Sequence, residues 1–211
     1  MTAGSILVVC TGNICRSPMA EGILRILLRG RGVAGLAVSS AGVAAWDGSG
    51  ATPEAVQAMA QNGIDITGHV ARRLDPPMVE QADLVVGMAV EHTEAAVQMD
   101  PTASGRTFTL KELVNLLDQS PEAATRAPAS AGDGPARLLA AVHRAAAART
   151  GGGVDLPADL DVADPLGLGV QAFLATAWEL GELMEAFVVQ VFGEAIDEAG
   201  APARAEGGRP E

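Results

Sequence analysis

The first forty residues combine a short apolar run with a stretch of helical periodicity. The run SILVVC, from Ser5 to Cys10, is rich in β-branched residues and predicts a buried strand. Apolar residues then recur at helical spacing up to Gly30, which predicts a helix. Pro18 suits the first turn of that helix, and Ser17 can cap it. The chain therefore begins with a strand, a loop and a helix.

The same alternation continues along the chain and ends with the strongest helical pattern. Between Val170 and Val191 the apolar residues form one stripe, which predicts a helix packed on the sheet. Alternating strands and helices are typical of parallel sheets. The predicted fold class is therefore α/β, a three-layer α/β/α sandwich around a four-stranded parallel sheet. The other predicted elements are strands at 36–40, 83–88 and 106–110 and helices at 53–62, 91–99 and 111–117.

The composition changes between Gln119 and Asp161, where alanine, proline, glycine and aspartate dominate. One helical pattern, from Ala136 to Arg149, lies inside this stretch and is flanked by glycines. We interpret the stretch as an inserted helix on mobile linkers. The prediction is a single domain over residues 1–199, with a helical insertion at about 119–161. We expect the small, polar tail at 200–211 to be disordered.

Composition and charge narrow the class of protein. With 48% apolar residues the chain can form a sizeable core, and its net charge of −12 repels nucleic acid and anionic membrane surfaces. No apolar run approaches the roughly 18 residues that a membrane-spanning helix needs, and the start of the chain lacks the basic region of a signal peptide. We therefore expect a cytoplasmic protein that binds no nucleic acid and inserts into no membrane.

The two cysteines, Cys10 and Cys15, are too few for a disulfide scaffold and, without clustered histidines, too few for a thiolate metal site. They lie in the segment CTGNICRSP, between the predicted first strand and its helix. A loop of this length can curl so that its backbone N–H groups point inward, and the start of the following helix adds positive charge. The sequence therefore predicts a phosphate-binding loop after the first strand. We call residues Cys10–Arg16 the phosphate loop.

The residue types in the phosphate loop suit phosphate-ester chemistry. A thiol beside a helix N-terminus and a cation is expected to ionise readily. Arg16 has a planar fork of donors that can hold two phosphoryl oxygens, and Ser17 can hydrogen-bond the sulfur. A covalent intermediate on Cys10 would replace one slow hydrolysis by two easier steps. In the plainer alternative Cys10 only ends a buried strand and Arg16 is a surface charge, but the position between strand and helix favours chemistry.

The segment VCTGNICRSPMAE, from Val9 to Glu21, resembles the signature of the low-molecular-weight protein tyrosine phosphatase family, bacterial type. The resemblance extends from Ile6 to about Val191, apart from the insertion. It implies a hydrolase that removes phosphate from phosphotyrosine in proteins, through a cysteinyl-phosphate intermediate and without metal or cofactor. It also implies phosphotyrosine-bearing proteins and a cognate tyrosine kinase as partners. The matching segments are SSAG at 39–42, NGID and HVAR within 62–72, ADLVVGM at 82–88, FTLKEL at 108–113, and Asp164 with Pro165.

The resemblance implies a role for each matching residue. Cys10 is the nucleophile, Arg16 binds the phosphate, and Asp164 is the general acid that protonates the leaving group. Asn13, Ser40 and His69 match a network that supports the loop, although His69 can equally be a satisfied core histidine. His92 and His143 carry no signal beyond that of surface residues. The residues implied in phosphate binding or loop support are Thr11, Gly12, Asn13, Ile14, Cys15, Ser17, Ser40 and His69.

The walls of the substrate pocket depart from the family pattern on one side. Many members have aromatic residues after the Asp-Pro pair, where this chain has Leu166 and Leu168. Trp46 matches the opposite wall and can stack on a phenyl ring, or can be a partly buried surface tryptophan. Asp164 itself is one of several acids on its segment, and only Pro165, which restricts it to an extended conformation, sets it apart.

Two other activities remain open on this fold. Arsenate reductases similar to this family often use cysteines further along the chain, but no cysteine follows Cys15, so that reaction would need an external thiol. Protein-arginine phosphatases of the family tend to carry threonine where this chain has Ile14, and Ile14 favours an aromatic phosphoester. A phosphate-binding module without activity is disfavoured because Cys10, Arg16 and an acid are all present.

Overall fold

A computed structural model describes residues 4–120 and 134–194, so the predicted tail at 200–211 lies outside the described residues. Its four strands form one parallel sheet in the order β2-β1-β3-β4. Helices cover both faces of the sheet, which confirms the predicted α/β sandwich. The strands are β1 Gly4–Cys10, β2 Leu36–Gly42, β3 Leu84–Gly87 and β4 Thr107–Thr109.

Every helix that the apolar periodicity predicted is present, and two further short helices accompany them. One is α3, and the other is a 3₁₀ helix at Pro101–Arg106. None of the helices in the described part of the chain is long and apolar enough to cross a membrane. The α-helices are α1 Arg16–Gly30, α2 Pro53–Gln61, α3 Pro76–Gln81, α4 Val90–Met99, α5 Leu110–Asp118, α6 Gly134–Gly151 and α7 Val170–Phe192.

The two additional helices begin at local caps rather than at an apolar stripe. The Asp75 carboxylate accepts a hydrogen bond of 2.9 Å from the N–H of Met78, at the start of α3. Asp100 makes the same 2.9 Å bond to the N–H of Thr102, at the start of the 3₁₀ helix. In both cases a proline follows the aspartate, where its missing N–H costs nothing. Such short helices leave too few turns for periodicity to reveal them.

The side chains of β1 divide between two apolar cores. Ile6 and Val8 face the larger core, which α1, α2, α5, α6 and α7 cover. Leu7 and Val9 face the smaller core, which α3, α4 and the 3₁₀ helix cover. A strand buried on both faces reads as a continuous apolar run, which is why SILVVC lacks polar alternation. The carboxyl end of this central strand carries Cys10.

Helix α6, from the insertion, packs on the domain at the amino ends of the strands. Leu138 and Val142 are buried in the larger core. At its far end the Arg149 guanidinium donates 2.7 Å to the carbonyl of Thr107 and 2.9 Å to the carboxylate of Glu112. Because Cys10 is at the carboxyl end of β1, α6 covers the end of the sheet opposite the phosphate loop.

Candidate active site

The phosphate loop connects β1 to α1 at the carboxyl edge of the sheet, where parallel α/β folds bind ligands. Two local features let the chain curl there. Asn13 adopts a left-handed conformation with φ of 54°, which asparagine tolerates better than most residues. Gly42, at the end of β2, lies so close that a Cβ atom on it would be 2.5 Å from the carbonyl oxygen of Thr11. A side chain at position 42 would therefore displace the loop.

The Cys10 sulfur is buried and surrounded by hydrogen-bond donors. Its Sγ lies 2.9 Å from the hydroxyl oxygen of Ser17 and 3.3 Å from the backbone nitrogen of Asn13. The Asn13 side-chain amide also donates to the Ser17 hydroxyl oxygen, at 2.9 Å. Because Ser17 accepts that bond, its own proton is free to point at the sulfur. Two donors therefore lie within hydrogen-bond distance of the Cys10 sulfur.

A second set of bonds holds Asn13 in place from the other side. Its side-chain amide donates to the Ser40 hydroxyl at 2.9 Å, and Ser40 donates onward to the Glu21 carboxylate at 2.6 Å. The backbone N–H of Arg72 donates 2.9 Å to the side-chain oxygen of Asn13. The His69 ring nitrogen Nε2 lies 2.7 Å from the backbone carbonyl oxygen of Asn13. The structure therefore brings Ser40 and His69 to the loop, and adds Glu21, which the sequence pattern did not single out.

Arg16 closes the loop and is itself 5% exposed. Its guanidinium donates 3.1 Å to the carbonyl of Val162 and 3.2 Å to the hydroxyl oxygen of Thr11. It also forms an ion pair with Asp164, so these two residues meet although they are far apart in the sequence. The Asp164 side chain remains 42% exposed, and its second oxygen accepts 3.1 Å from the N–H of Leu166.

The segment 159–168, which we call the acid loop, is anchored to the start of α4. The N–H of Val162 donates 2.8 Å to the carbonyl of Met88, just after β3. The Asp161 carboxylate accepts 2.8 Å from the N–H of Val90, the first residue of α4. Asp161 therefore occupies the positive end of a helix, whereas Asp164 points to the phosphate loop. This anchoring decides which of the neighbouring acids can reach a substrate.

His92, in the first turn of α4, is completely buried, so the expectation of a surface histidine was wrong. Its Nε2 lies 3.0 Å from the Thr11 hydroxyl oxygen, and its Nδ1 has no hydrogen-bond partner among the described residues. Burial, and to a smaller extent the nearby Arg16 charge, lowers the pKa of His92 from 6.5 to about 4. The imidazole is therefore neutral at physiological pH. Its position in the sequence could have indicated this role, because a helix that follows a parallel strand starts at the same edge of the sheet as the phosphate loop, and His92 lies at the start of such a helix.

The second cysteine has different surroundings from the first. The Cys15 sulfur lies 3.6 Å from the hydroxyl oxygen of Thr52, and the side chain is 4% exposed. Burial raises the pKa of the Cys15 thiol from 9.0 to about 11, with smaller contributions from the charge of Asp164 and from Cys10. Cys15 is therefore a protonated packing residue at neutral pH, and Cys10 is the better candidate nucleophile.

Exposed apolar side chains lie at the rim of the site. The backbone N–H of Trp46 donates 3.1 Å to the carbonyl of Gly12, and the indole is 59% exposed. A Cβ on Gly12 would lie 3.6 Å from the indole and 3.2 Å from the Ile14 side chain. Trp46 therefore stands directly beside the phosphate loop. In the acid loop Leu166 is 46% exposed and Leu168 59%, in place of aromatic residues.

The site combines the groups that phosphate-ester chemistry needs: a candidate anion cradle, a candidate nucleophile and a candidate acid. The helix N-terminus and Arg16 favour a bound dianion next to the Cys10 sulfur. The Asp164 carboxyl is accessible on the same side and can exchange a proton with a bound group. No group of three His, Cys, Asp or Glu side chains suited to a metal ion occurs within residues 4–120 and 134–194.

Comparisons with known proteins point to one family. A family model described as low molecular weight phosphotyrosine protein phosphatase matches residues 5–124. A probable low molecular weight protein-tyrosine-phosphatase of Ralstonia solanacearum, EpsP, is 43% identical over 109 residues, which cover 52% of this chain and 72% of the relative. A protein-arginine-phosphatase of Bacillus subtilis is 39% identical over 109 residues, 52% of this chain and 71% of the relative.

Among solved structures, a low molecular weight protein tyrosine phosphatase from T. tengcongensis superposes with a TM-score of 0.64 at 31% identity. The match covers 88% of this chain and 97% of that one, so the likeness extends beyond the residues that the family model matches. The parallel sheet and all three comparisons agree. The chain belongs to the low molecular weight phosphotyrosine protein phosphatase family.

Proposed function

We propose that the protein hydrolyses phosphotyrosine in proteins, with Cys10 as nucleophile, Arg16 as phosphate binder and Asp164 as general acid. The observation that carries the proposal is the surroundings of the Cys10 sulfur. It lies 2.9 Å from a serine hydroxyl and 3.3 Å from a backbone N–H, at the base of a loop that Arg16 closes. A buried sulfur with two donors is suited to be a thiolate that attacks a phosphorus atom.

In the proposed first step, the thiolate forms a sulfur–phosphorus bond while the bond between phosphorus and the tyrosine oxygen breaks. The Asp164 proton moves to the departing oxygen, so tyrosine leaves as a neutral phenol. Arg16 holds phosphoryl oxygens through this step, for which a bidentate fork is better suited than a point charge. The bound phosphate thus replaces Asp164 as the partner of Arg16.

In the second step, water attacks the phosphorus of the cysteinyl phosphate and the Asp164 carboxylate takes its proton. The sulfur–phosphorus bond breaks and the electron pair returns to sulfur. Ser17 and the N–H of Asn13 stabilise the sulfur as it leaves, because they already lie within hydrogen-bond distance of it. Free phosphate then departs, and Arg16 can pair with Asp164 again.

The second candidate substrate is phosphoarginine, because one of the relatives is named a protein-arginine-phosphatase at 39% identity. Ile14 argues for the aromatic ester, since an apolar side chain beside Gly12 suits a phenyl ring better than a guanidinium. Arsenate reduction would need a thiol from outside the protein. Within the described residues the only other sulfhydryl is that of Cys15, which is buried and bonded to Thr52.

The compartment and the upstream partner belong to the same proposal. Cys10 acts only as a free thiol, and the cytoplasm keeps thiols reduced, so we place the enzyme there. Its substrates are proteins that a cognate tyrosine kinase has phosphorylated. Fractionation of cells that produce the tagged protein tests the compartment. Overproduction of the protein should remove the phosphotyrosine that the kinase adds to these substrates, which tests the pairing with a kinase.

The substrate assignment is tested with the purified protein on matched peptides that carry phosphotyrosine, phosphoserine or phosphoarginine, and on arsenate with added thiol. We expect the highest kcat/KM on phosphotyrosine. The Ile14→Thr variant should move the preference toward phosphoarginine. A wild type that prefers phosphoarginine would replace the first candidate with the second. Reduction of arsenate without turnover of any peptide would overturn both.

A further inference from the structure

We propose that His92 is a positioning residue that orients Arg16 through Thr11. This inference rests on the proposed function, because it concerns how the phosphate binder is held. It starts from a buried imidazole that packs against the phosphate loop from α4 and touches Thr11 at 3.0 Å. A fully buried histidine in the first turn of a helix requires a reason, because its polar ring is costly to desolvate.

The hydrogen bonds around Thr11 fix the direction of each proton. The Arg16 guanidinium can only donate, so the Thr11 oxygen accepts from it at 3.2 Å. The Thr11 hydroxyl proton faces the Glu91 carboxylate at 3.5 Å. Its remaining acceptor position faces His92, so Nε2 of the imidazole carries the proton and donates it. The Thr11 oxygen is then held between two donors, one on His92 and one on Arg16.

The unpartnered atom agrees with this assignment. With its proton on Nε2, a neutral His92 presents only a lone pair at the buried Nδ1, which has no partner in the part of the chain that the structure describes. The opposite tautomer would bury an N–H without an acceptor, which is the rarer and costlier arrangement. A doubly protonated ring would bury the same N–H and add a charge near Arg16. Burial and Arg16 both lower the pKa of His92, in agreement with the neutral ring.

The consequence for Arg16 follows from its three partners. Val162 and Asp164 belong to the acid loop, whereas Thr11 is the partner from the phosphate loop itself. If phosphate replaces Asp164, Thr11 and Val162 remain to set the plane of the guanidinium. His92 keeps the Thr11 oxygen turned toward Arg16, and without it the threonine hydroxyl could rotate to other partners. The planar fork would then meet the phosphoryl oxygens at less favourable angles.

The test is a double-mutant cycle between His92→Leu and Thr11→Val, each of which removes one polar group at similar volume. The readouts are the equilibrium affinity for inorganic phosphate and, separately, kcat and KM on a phosphotyrosine peptide. We expect each single variant to bind phosphate about three- to tenfold more weakly, the usual scale of one hydrogen bond. The double variant should be no worse than either single variant, because both act on the same contact.

His92→Gln provides the conservative comparison, since its amide can donate from nearly the position of Nε2. We expect it to recover most of the phosphate affinity that His92→Leu loses. His143→Leu, a substitution of an exposed histidine on α6, is the matched control. If His92→Leu does not fold, Thr11→Val alone tests the proposal. Unchanged phosphate affinity in that variant would exclude a role for the Thr11 hydroxyl in holding Arg16.

Additive losses in the cycle, or unchanged phosphate affinity in His92→Leu, would overturn the positioning role. A loss that follows only the melting temperature and that His92→Gln does not restore would also overturn it. Phosphate affinity is measured without turnover. A wild-type protein that binds phosphate but hydrolyses no phosphotyrosine would therefore refute the proposed function while leaving this test intact.

Discussion

The phosphate loop is buried and bonded from several sides, whereas the acid loop lies on the surface and is anchored mainly at Asp161 and Val162. Asn13 and Ser17 have no exposed surface, and their side chains are fully engaged. In the acid loop, the Asp164 side chain is 42% exposed, and the neighbouring leucines also face solvent. The two loops meet at Arg16, which forms an ion pair with Asp164 and donates to the carbonyl of Val162.

The difference reflects two chemical tasks. A cradle for a dianion must be ordered before the ligand arrives, because donors that reorient during the reaction stabilise charge less. An acid must reach leaving groups of different sizes and also water, so it needs access. Changes to Cys10 or Arg16, which attack and hold the phosphate, should therefore affect every substrate alike. Changes in the acid loop should depend on the leaving group.

The largest expected effect is that of Cys10→Ser, which should abolish turnover of every substrate. Serine has nearly the same shape but is a far weaker nucleophile at neutral pH, so the loop remains while the attacking group is lost. Binding of phosphate or vanadate, measured by calorimetry, should persist. Residual turnover close to that of the wild type would show that another group attacks phosphorus.

Asp164→Asn should slow the hydrolysis of a phosphotyrosine peptide by on the order of 10² to 10⁴, the usual scale of general acid catalysis. A tyrosine leaving group has a pKa near 10 and needs the proton. For an aryl phosphate whose phenol is much more acidic, Asp164→Asn should lower the rate of the step that forms the cysteinyl phosphate far less. Rapid-quench measurement of that step on both substrates gives the comparison.

Asp161→Asn is the matched control for the acid loop, because asparagine can still accept the bond from the N–H of Val90. It should slow hydrolysis much less than Asp164→Asn does, and the effect should not depend on the leaving group. If instead Asp161→Asn shows the leaving-group dependence, the acid has been misassigned within the loop.

His92 should make the stability of the fold sensitive to acid. Its pKa is 6.5 in its ordinary state and about 4 in the fold, so between these values the unfolded chain binds more protons. The contribution of His92 to the free energy of unfolding is therefore lost as pH falls from about 6.5 to about 4, by roughly 3 kcal/mol, and His92 adds no further loss below that pH. Urea unfolding across this range should show a smaller loss for His92→Gln than for the wild type. The exposed-site variant His143→Gln should match the wild type, and equal slopes in all three would contradict a buried neutral ring.

Ser17→Ala should lower kcat by roughly ten- to a hundredfold, the range for a hydrogen bond to a charged group. The sulfur loses a donor at 2.9 Å, so the cysteinyl phosphate should break down more slowly and accumulate. Stopped-flow kinetics should then show a burst of released phenol. Ser120→Ala, which removes a buried hydroxyl bonded to Leu117 far from the site, should leave kcat unchanged. A Ser17→Ala enzyme without slower breakdown would remove Ser17 from the second step.

Trp46→Ala should have the smallest effect, a rise in KM of about two- to tenfold for phosphotyrosine peptides, the scale of one aromatic contact. Inhibition by inorganic phosphate should not change, because phosphate has no ring to stack. Trp178, which is 71% exposed on α7, provides the control substitution Trp178→Ala. Equal KM values for both variants and the wild type would make Trp46 a plain surface residue.

The sequence by itself determined the secondary-structure elements and the position of the phosphate loop between β1 and α1. A strand buried on both faces is a continuous apolar run, and a helix packed on a sheet carries a stripe, so both leave a local record. Cys10, Arg16 and Ser17 lie within one short segment at the junction of β1 and α1, and their spacing alone brings them together. For these features, neighbours in space are also neighbours in sequence.

Only the tertiary structure decided the contacts made across long stretches of chain. Glu21 reaches the loop through Ser40, and His92 reaches it from a different helix. Asp164 resembles its acidic neighbours in the sequence, and it is distinguished because Asp161 is bonded to the start of α4 while Asp164 meets Arg16. Burial and hydrogen-bond direction depend on which elements pack together. A local sequence pattern does not indicate burial or hydrogen-bond direction, because the same residue types also occur on protein surfaces.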